Sequence, residues 1–168
     1  MQSDELRAIQ KPLKEKYKET PAAALITLKA QGQIGEGITC KIETGKALVE
    51  AGLHEATGGT GLAVCSGDML LEALVACAGV TLNAVATATG VTLRKGTVRA
   101  EGDIDFRGTL GVSKDVPVGF QNIRLFFDLD TDANEEQLAS LKKLTERYCV
   151  VFQTLQRSPI IETSYSLT

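Results

Sequence analysis

One histidine, His54, serves the whole chain, and no Gly-x-Ser-x-Gly segment occurs. No Ser-His-Asp arrangement can therefore be read from it. Four cysteines in 168 residues are too few for a disulfide scaffold, and a chain of this length buries a core without staples. No Cys-x-x-Cys or His-x-x-x-His spacing links His54, Cys65 and Cys77, so nothing in the spacing supports a zinc site. The glycine segment "GGTGLAVCSG" has neither the Gly-x-Gly-x-x-Gly spacing nor the Lys-Ser/Thr of a phosphate loop, and no cofactor is implied. A Lys/Arg run interleaved with aromatics is missing too. The densest basic stretch, Lys11 to Lys18, alternates with glutamate, and the net charge is −3. These features argue against a nucleic-acid partner. The polar start "MQSDELRAIQ" lacks the apolar core of a secretory signal, so the expected location is cytoplasmic. The longest apolar stretch, Ala73 to Ala86, is broken by Gly79, Thr81 and Asn83. It is too short to span a bilayer and reads as a buried core helix. Repeats and low-complexity segments are absent.

What is present is an alternation of helical and strand patterns. Leu6, Ile9, Leu13 and Tyr17 recur at helical spacing behind Ser3 or Asp4. Pro12 should kink or divide that helix, and Thr20-Pro21 should end it. Residues 1–20 thus read as an N-terminal helical appendage and 21–168 as the main domain. From Ala24 the period shifts to two, with Ile38, Cys40 and Ile42 on one strand face, a turn at Thr44 to Lys46, and a return strand at Ala47 to Ala51. "GLHEATGGTG" reads as a loop, with His54 on the surface. The central helix should start at Ser66 as N-cap, with Asp68 in its first turn, and stop at Gly90. Strands are expected at Thr97 to Arg107 and Phe120 to Asp130. Asp132 and Glu135 resemble a capping box opening one long helix with the stripe Leu138, Leu141, Thr145, Tyr148, Phe152 and Leu155. "IIETSYSL" should close the chain as a strand. Strand runs joined by hairpins and loops predict an α+β fold with a mainly antiparallel sheet.

Two cysteines stand in helical patterns, Cys77 in the most apolar stretch and Cys149 in "LTERYCVVFQTL". At about 100° per residue, Ala73, Leu74, Val80, Thr81 and Ala84 share the face of Cys77, with Leu70 two turns back. Apolar surroundings alone raise a thiol pKa and leave it inert, so reactivity needs a cation or hydrogen-bond donors from another segment. Cys149 lies on or beside the stripe of the second helix. Two inward-facing thiols on two helices can become neighbours, or can simply fill the core. Cys65 lies roughly 18 Å along a helix from Cys77 and cannot bridge it, and Cys40 reads as a core strand residue.

Taken as a whole, "CSGDMLLEALVACAGVTL" resembles the peroxidatic-cysteine helix of the OsmC/Ohr family, and "ERYCVVFQTL" its second cysteine motif. The resemblance covers about residues 24 to 168. It implies an OsmC-like fold with sheets around two long central helices, built as an intertwined homodimer. It also implies thiol-dependent reduction of a hydroperoxide, with a dithiol as reductant. Carried over, Cys77 is the peroxidatic nucleophile, Cys149 the resolving thiol, and Asp68 the acidic residue that orients a cationic or hydrogen-bonding partner. The family uses an arginine from the N-terminal part of the chain beside its thiolate. Here no arginine lies between Arg7 and Arg94, leaving Lys46, His54, Arg107 or Arg147 as alternatives. The family's usual glutamate is aspartate, and its helix-initial proline is missing. Two readings compete with the peroxidase: a non-enzymatic module binding a small apolar ligand between helices, and a slow disulfide redox sensor.

Overall fold

The computed structural model describes residues 3–34, 40–42, 51–62 and 64–166. Of the two outcomes expected at Pro12, division does not occur: helix α1 (Ser3–Glu19) runs through it. Tertiary contacts hold it over the position where proline removes a helical hydrogen bond. The Tyr17 hydroxyl donates to the Ala56 carbonyl at 2.7 Å, and the Gln10 side-chain amide donates to the Thr57 carbonyl at 3.2 Å. Both acceptors belong to a short 3-10 turn, Glu55–Thr57, inside the segment expected to be plain loop. Gly58 ends that turn at φ 91°, where a Cβ would strike Ile9 at 2.5 Å. Only glycine combines that backbone with so close an approach of α1.

Four strands form one antiparallel sheet in the order β2-β1-β5-β6: β1 (Leu25–Ile34), β2 (Cys40–Ile42), β5 (Leu93–Asp105) and β6 (Phe120–Thr131). Leu25 of β1 faces Asp105 of β5, and the register continues to Gln33 opposite Thr97. A two-residue parallel pair, β3 (Ala51–Gly52) with β4 (Val64–Cys65), lies apart from it. The expected Ile38 end of the strand face, the Thr44 to Lys46 turn and the return strand at Ala47 to Ala51 up to Glu50 lie outside the described residues, as does the Cys40 side chain. β5 starts four residues before the expected Thr97. It stops at Asp105, and Arg107 sits instead on a single helical turn, α3 (Phe106–Thr109). Asp105 caps that turn by accepting the Arg107 N–H, which removes Arg107 from the sheet.

Helix α2 (Ser66–Thr89) lies across β1 and β5. Its N-cap is Cys65, without a side-chain cap, and Ser66 is the first helical residue, one position from the expectation. Gly90 stops it in the left-handed region at φ 70°. The buried positions Leu71, Leu74, Val75, Ala78, Leu82, Val85 and Ala86 follow the 3–4 residue period of one helix face. At 24 residues α2 is longer than the apolar stretch itself, and by length and composition it could cross a membrane. The sheet covers that buried face instead. Val98 and Ala100 of β5 meet Leu71 and Leu74 in a single core that also includes Tyr17 and Cys149. Each large side chain buried there contributes about 1.5–3 kcal/mol.

Helix α4 (Glu135–Tyr148) packs on α2. Its capping box uses Asn134 and Gln137 rather than Asp132 and Glu135: each side chain accepts the other's backbone N–H at 2.9 Å. Thr131 explains the displacement. Its hydroxyl donates to the Thr92 carbonyl and accepts the Ala133 N–H, which holds the residues after β6 out of the helix until Asn134 caps it and Glu135 starts it. The expected single helix is two, because the chain breaks at Cys149 before α5 (Val150–Gln156). Tyr148, expected on the apolar stripe, is consequently exposed. After α5, residues 157–166 have no regular structure, and Ile160, Ile161 and Tyr165 are exposed. A strand needs a neighbour for its backbone groups, and no described strand pairs with this segment.

Candidate functional site

The break at Cys149 builds the site. With ψ at 107°, Cys149 leaves helical geometry, although its N–H still closes α4 on the Thr145 carbonyl and its carbonyl opens α5 by accepting the Gln153 N–H, both at 2.9 Å. The Gln153 side-chain amide donates to the Glu146 carbonyl at 2.7 Å. It thus replaces the Val150 N–H that an unbroken helix would supply, and clamps the two helices across the break. The Val150 and Val151 amides are freed to donate elsewhere, and both reach the Cys77 sulfur.

Cys77 is half-buried on α2 and Cys149 almost wholly buried. The two thiols lie within hydrogen-bonding reach of each other, both free. Burial is the largest single influence on Cys77 and raises its pKa. The Val151 amide, the Cys149 thiol, the Thr81 hydroxyl and the Val150 amide all donate to the sulfur and together outweigh it, so the net shift is downward. Cys149 moves the opposite way. Burial, and then the hydrogen bond and charge of Cys77, push it up to about 11. The pair is therefore polarised: Cys77 is the more acidic of the two thiols, and Cys149 holds its proton to higher pH.

This supplies what apolar surroundings alone would deny a thiol, and it does so with neutral donors. Among the described residues, no charged side chain takes part in the shift of Cys77. Arg107 is held by the buried Asp105 carboxylate. The Arg147 guanidinium lies over the Tyr148 ring at 5.5 Å. His54, expected on the surface, is half-buried, stacked on Phe106 at 5.0 Å, and accepts the Ala56 N–H at Nδ1. Lys46 lies outside the described residues. Asp68 sits in the first turn of α2, about 13 Å along the axis from Cys77. Burial raises its pKa, and the nearby His54 acts in the opposite direction. Within one chain, Asp68 meets His54 and Glu72 rather than the thiols. Glu72 is raised by burial and then by the Asp68 charge. Cys65, at the start of α2, is half-buried and free.

Thr81, Gln153 and the two valine amides escaped the sequence reading as functional groups. Thr81 was visible as a face-mate of Cys77 one turn on. The amides carry no sequence signal at all. The polarity of the pair has a direct consequence under alkylation with iodoacetamide. Above its folded pKa Cys77 is thiolate and reacts; below it the protonated thiol is slow. Its rate against pH should therefore inflect below the ordinary thiol value, whereas Cys149 should stay unmodified until the pH nears 11. Peptide mapping of the adducts across pH checks both. Equal labelling of the two residues at neutral pH would contradict the assignment.

The OsmC-like protein family model matches residues 59–164, a span that contains α2, β5, β6, α4, α5 and both thiols. An OsmC-like hydroperoxide resistance protein from Jannaschia sp. CCS1 superposes with a TM-score of 0.64 at 14% identity, over 86% of this chain and 95% of that one. An OsmC-like protein from Mycoplasma pneumoniae gives 0.55 at 17% identity, over 80% and 86%. A search of the curated protein sequences found no match. The mixed helix and antiparallel-sheet architecture is that of the OsmC-like structures, and with more than half its length matched the chain belongs to the OsmC-like protein family.

Proposed function

We propose that the protein is a cysteine-dependent peroxidase that reduces organic hydroperoxides or hydrogen peroxide at Cys77 and recycles through Cys149. One observation carries the reading: the Cys77 thiol, shifted towards thiolate, lies within hydrogen-bonding reach of a second thiol that keeps its proton. The Cys77 thiolate attacks the outer peroxide oxygen and the O–O bond breaks. The alkoxide leaves and takes a proton from solvent as the alcohol, while Cys77 becomes a sulfenic acid. The Cys149 sulfur then attacks the Cys77 sulfur, an S–S bond forms and water leaves. An external dithiol supplies the two electrons that reopen the disulfide by exchange. The Val150 and Val151 amides and the Thr81 hydroxyl hold the thiolate before attack. Asp68 has no direct part within one chain. In the homodimer that the sequence resemblance implies, we assign it to orienting a donor at the subunit boundary.

The test is consumption of tert-butyl hydroperoxide by the protein with dithiothreitol as the dithiol. The expected result is multiple turnovers, with one dithiol oxidised per peroxide. Consumption that stops without loss of protein thiols would remove the enzyme reading.

A further inference from the structure

Two acceptors compete for the Val150 amide. In an unbroken helix it would donate to the Glu146 carbonyl, four residues back; here it donates to the Cys77 sulfur. The break at Cys149 releases three amides in all. Those of Val150 and Val151 turn to Cys77, and that of Phe152 turns to the Cys149 sulfur, which shares Val151. Three carbonyls are released with them. Arg147 and Tyr148 are exposed, so water can serve theirs, but Glu146 is half-buried. A buried carbonyl without a partner favours whatever arrangement pairs it. Closing the helix would do so by taking Val150 away from Cys77. Gln153 removes that pull. Its side-chain amide donates to the Glu146 carbonyl at 2.7 Å, while its own N–H donates to the Cys149 carbonyl at 2.9 Å. One residue thus fills the contested acceptor and fixes the first turn of α5.

We infer that Gln153 is a positioning residue for Cys77. By occupying the Glu146 carbonyl it keeps the chain broken at Cys149, and so keeps the Val150 and Val151 amides on the Cys77 sulfur. Its side-chain amide bonds main chain rather than sulfur, so it acts on the thiol only through the backbone. The inference deepens the peroxidase reading by naming what sets the nucleophile, and rests on that reading for its catalytic meaning alone. Thiol acidity is measured without peroxide.

The test follows the iodoacetamide reactivity of Cys77 against pH, by mapped adducts, in reduced wild type, Gln153→Met and Gln153→Asn. Methionine matches glutamine in length but has no donor; asparagine keeps the amide and is one methylene short. In both, the Val150 N–H should return to Glu146. The Cys77 midpoint should then rise by about one pH unit, tenfold in acidity, the scale of a hydrogen bond to a charged acceptor. The asparagine variant carries the test if the methionine variant folds poorly. Val150→Pro separates positioning from general loosening. Proline has no N–H with which to close the helix, and it suits the first position of α5 after the extended Cys149. Added to Gln153→Met, it should bring the midpoint most of the way back, because the Val151 amide, which lowers Cys77 more than Val150 does, stays in place. A midpoint unchanged in both Gln153 variants, or a rise that Val150→Pro does not reverse, would overturn the inference and leave the peroxidase reading intact. Expected midpoint shifts in a protein that consumes no peroxide would keep the role of Gln153 and remove the peroxidase reading alone.

Discussion

Cys77→Ser should lower hydroperoxide turnover by at least about a thousandfold, the scale of loss when a covalent nucleophile is removed. A serine hydroxyl at the same place is not ionised by four neutral donors, so the groups that hold the thiolate have nothing to hold. Cys149→Ser should behave differently. The Cys77 sulfur still has the Val150, Val151 and Thr81 donors, so one peroxide should be reduced per chain. The reaction should then stall at a sulfenic acid that dimedone traps. The two variants thus separate attack from resolution: the first loses both the burst and the turnover, and the second keeps the burst. Stopped-flow peroxide consumption with mass spectrometry of the dimedone adduct reads both. A Cys149→Ser protein that keeps full dithiol-dependent turnover would assign resolution to another thiol.

The parts of this site differ in how legible they were. Helix α2 could be read because its apolar residues keep helical spacing over six turns and Gly90 ends them. The identity of the thiol pair could be read only once both motifs were taken together, since spacing alone leaves two buried cysteines. The break at Cys149 could not be read. "RYCVVFQ" contains no glycine or proline and continues the apolar stripe of α4, so local preference favours one helix. What ends the helix is tertiary: Cys149 is drawn into the core beside Cys77, and Gln153 repairs the orphaned Glu146 carbonyl. The same break explains why no side chain could be named as the activator of Cys77. Lys46, His54, Arg107 and Arg147 are the side chains a sequence offers for that role, whereas the donors at the sulfur are main-chain amides, a hydroxyl and the Cys149 thiol. The C-terminal segment failed for the complementary reason. Its alternation is strand-like, but a strand also requires a neighbour, which residues 157–166 do not have in the described chain.

Leu71→Ala should cost about 2–5 kcal/mol of folding stability, a large share of the roughly 5–15 kcal/mol typical of a domain. Leu71 is fully buried on the face of α2 that meets the sheet, within the core that includes Leu74, Val75, Val98 and Ala100. Around it the sheet is rigid, with β1, β5 and β6 paired along most of their lengths, and the facing β5 residues are small. The space left by the deleted methyls cannot close, which places the cost towards the upper part of that range. Leu138→Ala, on a partly exposed position of α4, should cost well under half as much. Urea unfolding followed by circular dichroism measures the difference. A cost at Leu71 no greater than at Leu138 would mean that the α2–sheet layer is not the main core. Because Cys77 sits on the same helix, a Leu71→Ala protein that still folds should also show slower alkylation of Cys77, as its alignment with the Val150 and Val151 amides loosens.

The pairing of Cys77 with Cys149 is what the functional account depends on most. The direct measurement is to add one equivalent of hydroperoxide to the fully reduced protein, count the remaining thiols, and map any disulfide by non-reducing peptide mass spectrometry. The account predicts the loss of two thiols per chain and a Cys77–Cys149 bridge, with Cys40 and Cys65 still reduced. Four thiols unchanged, or a bridge that joins Cys77 to any other cysteine, would contradict it.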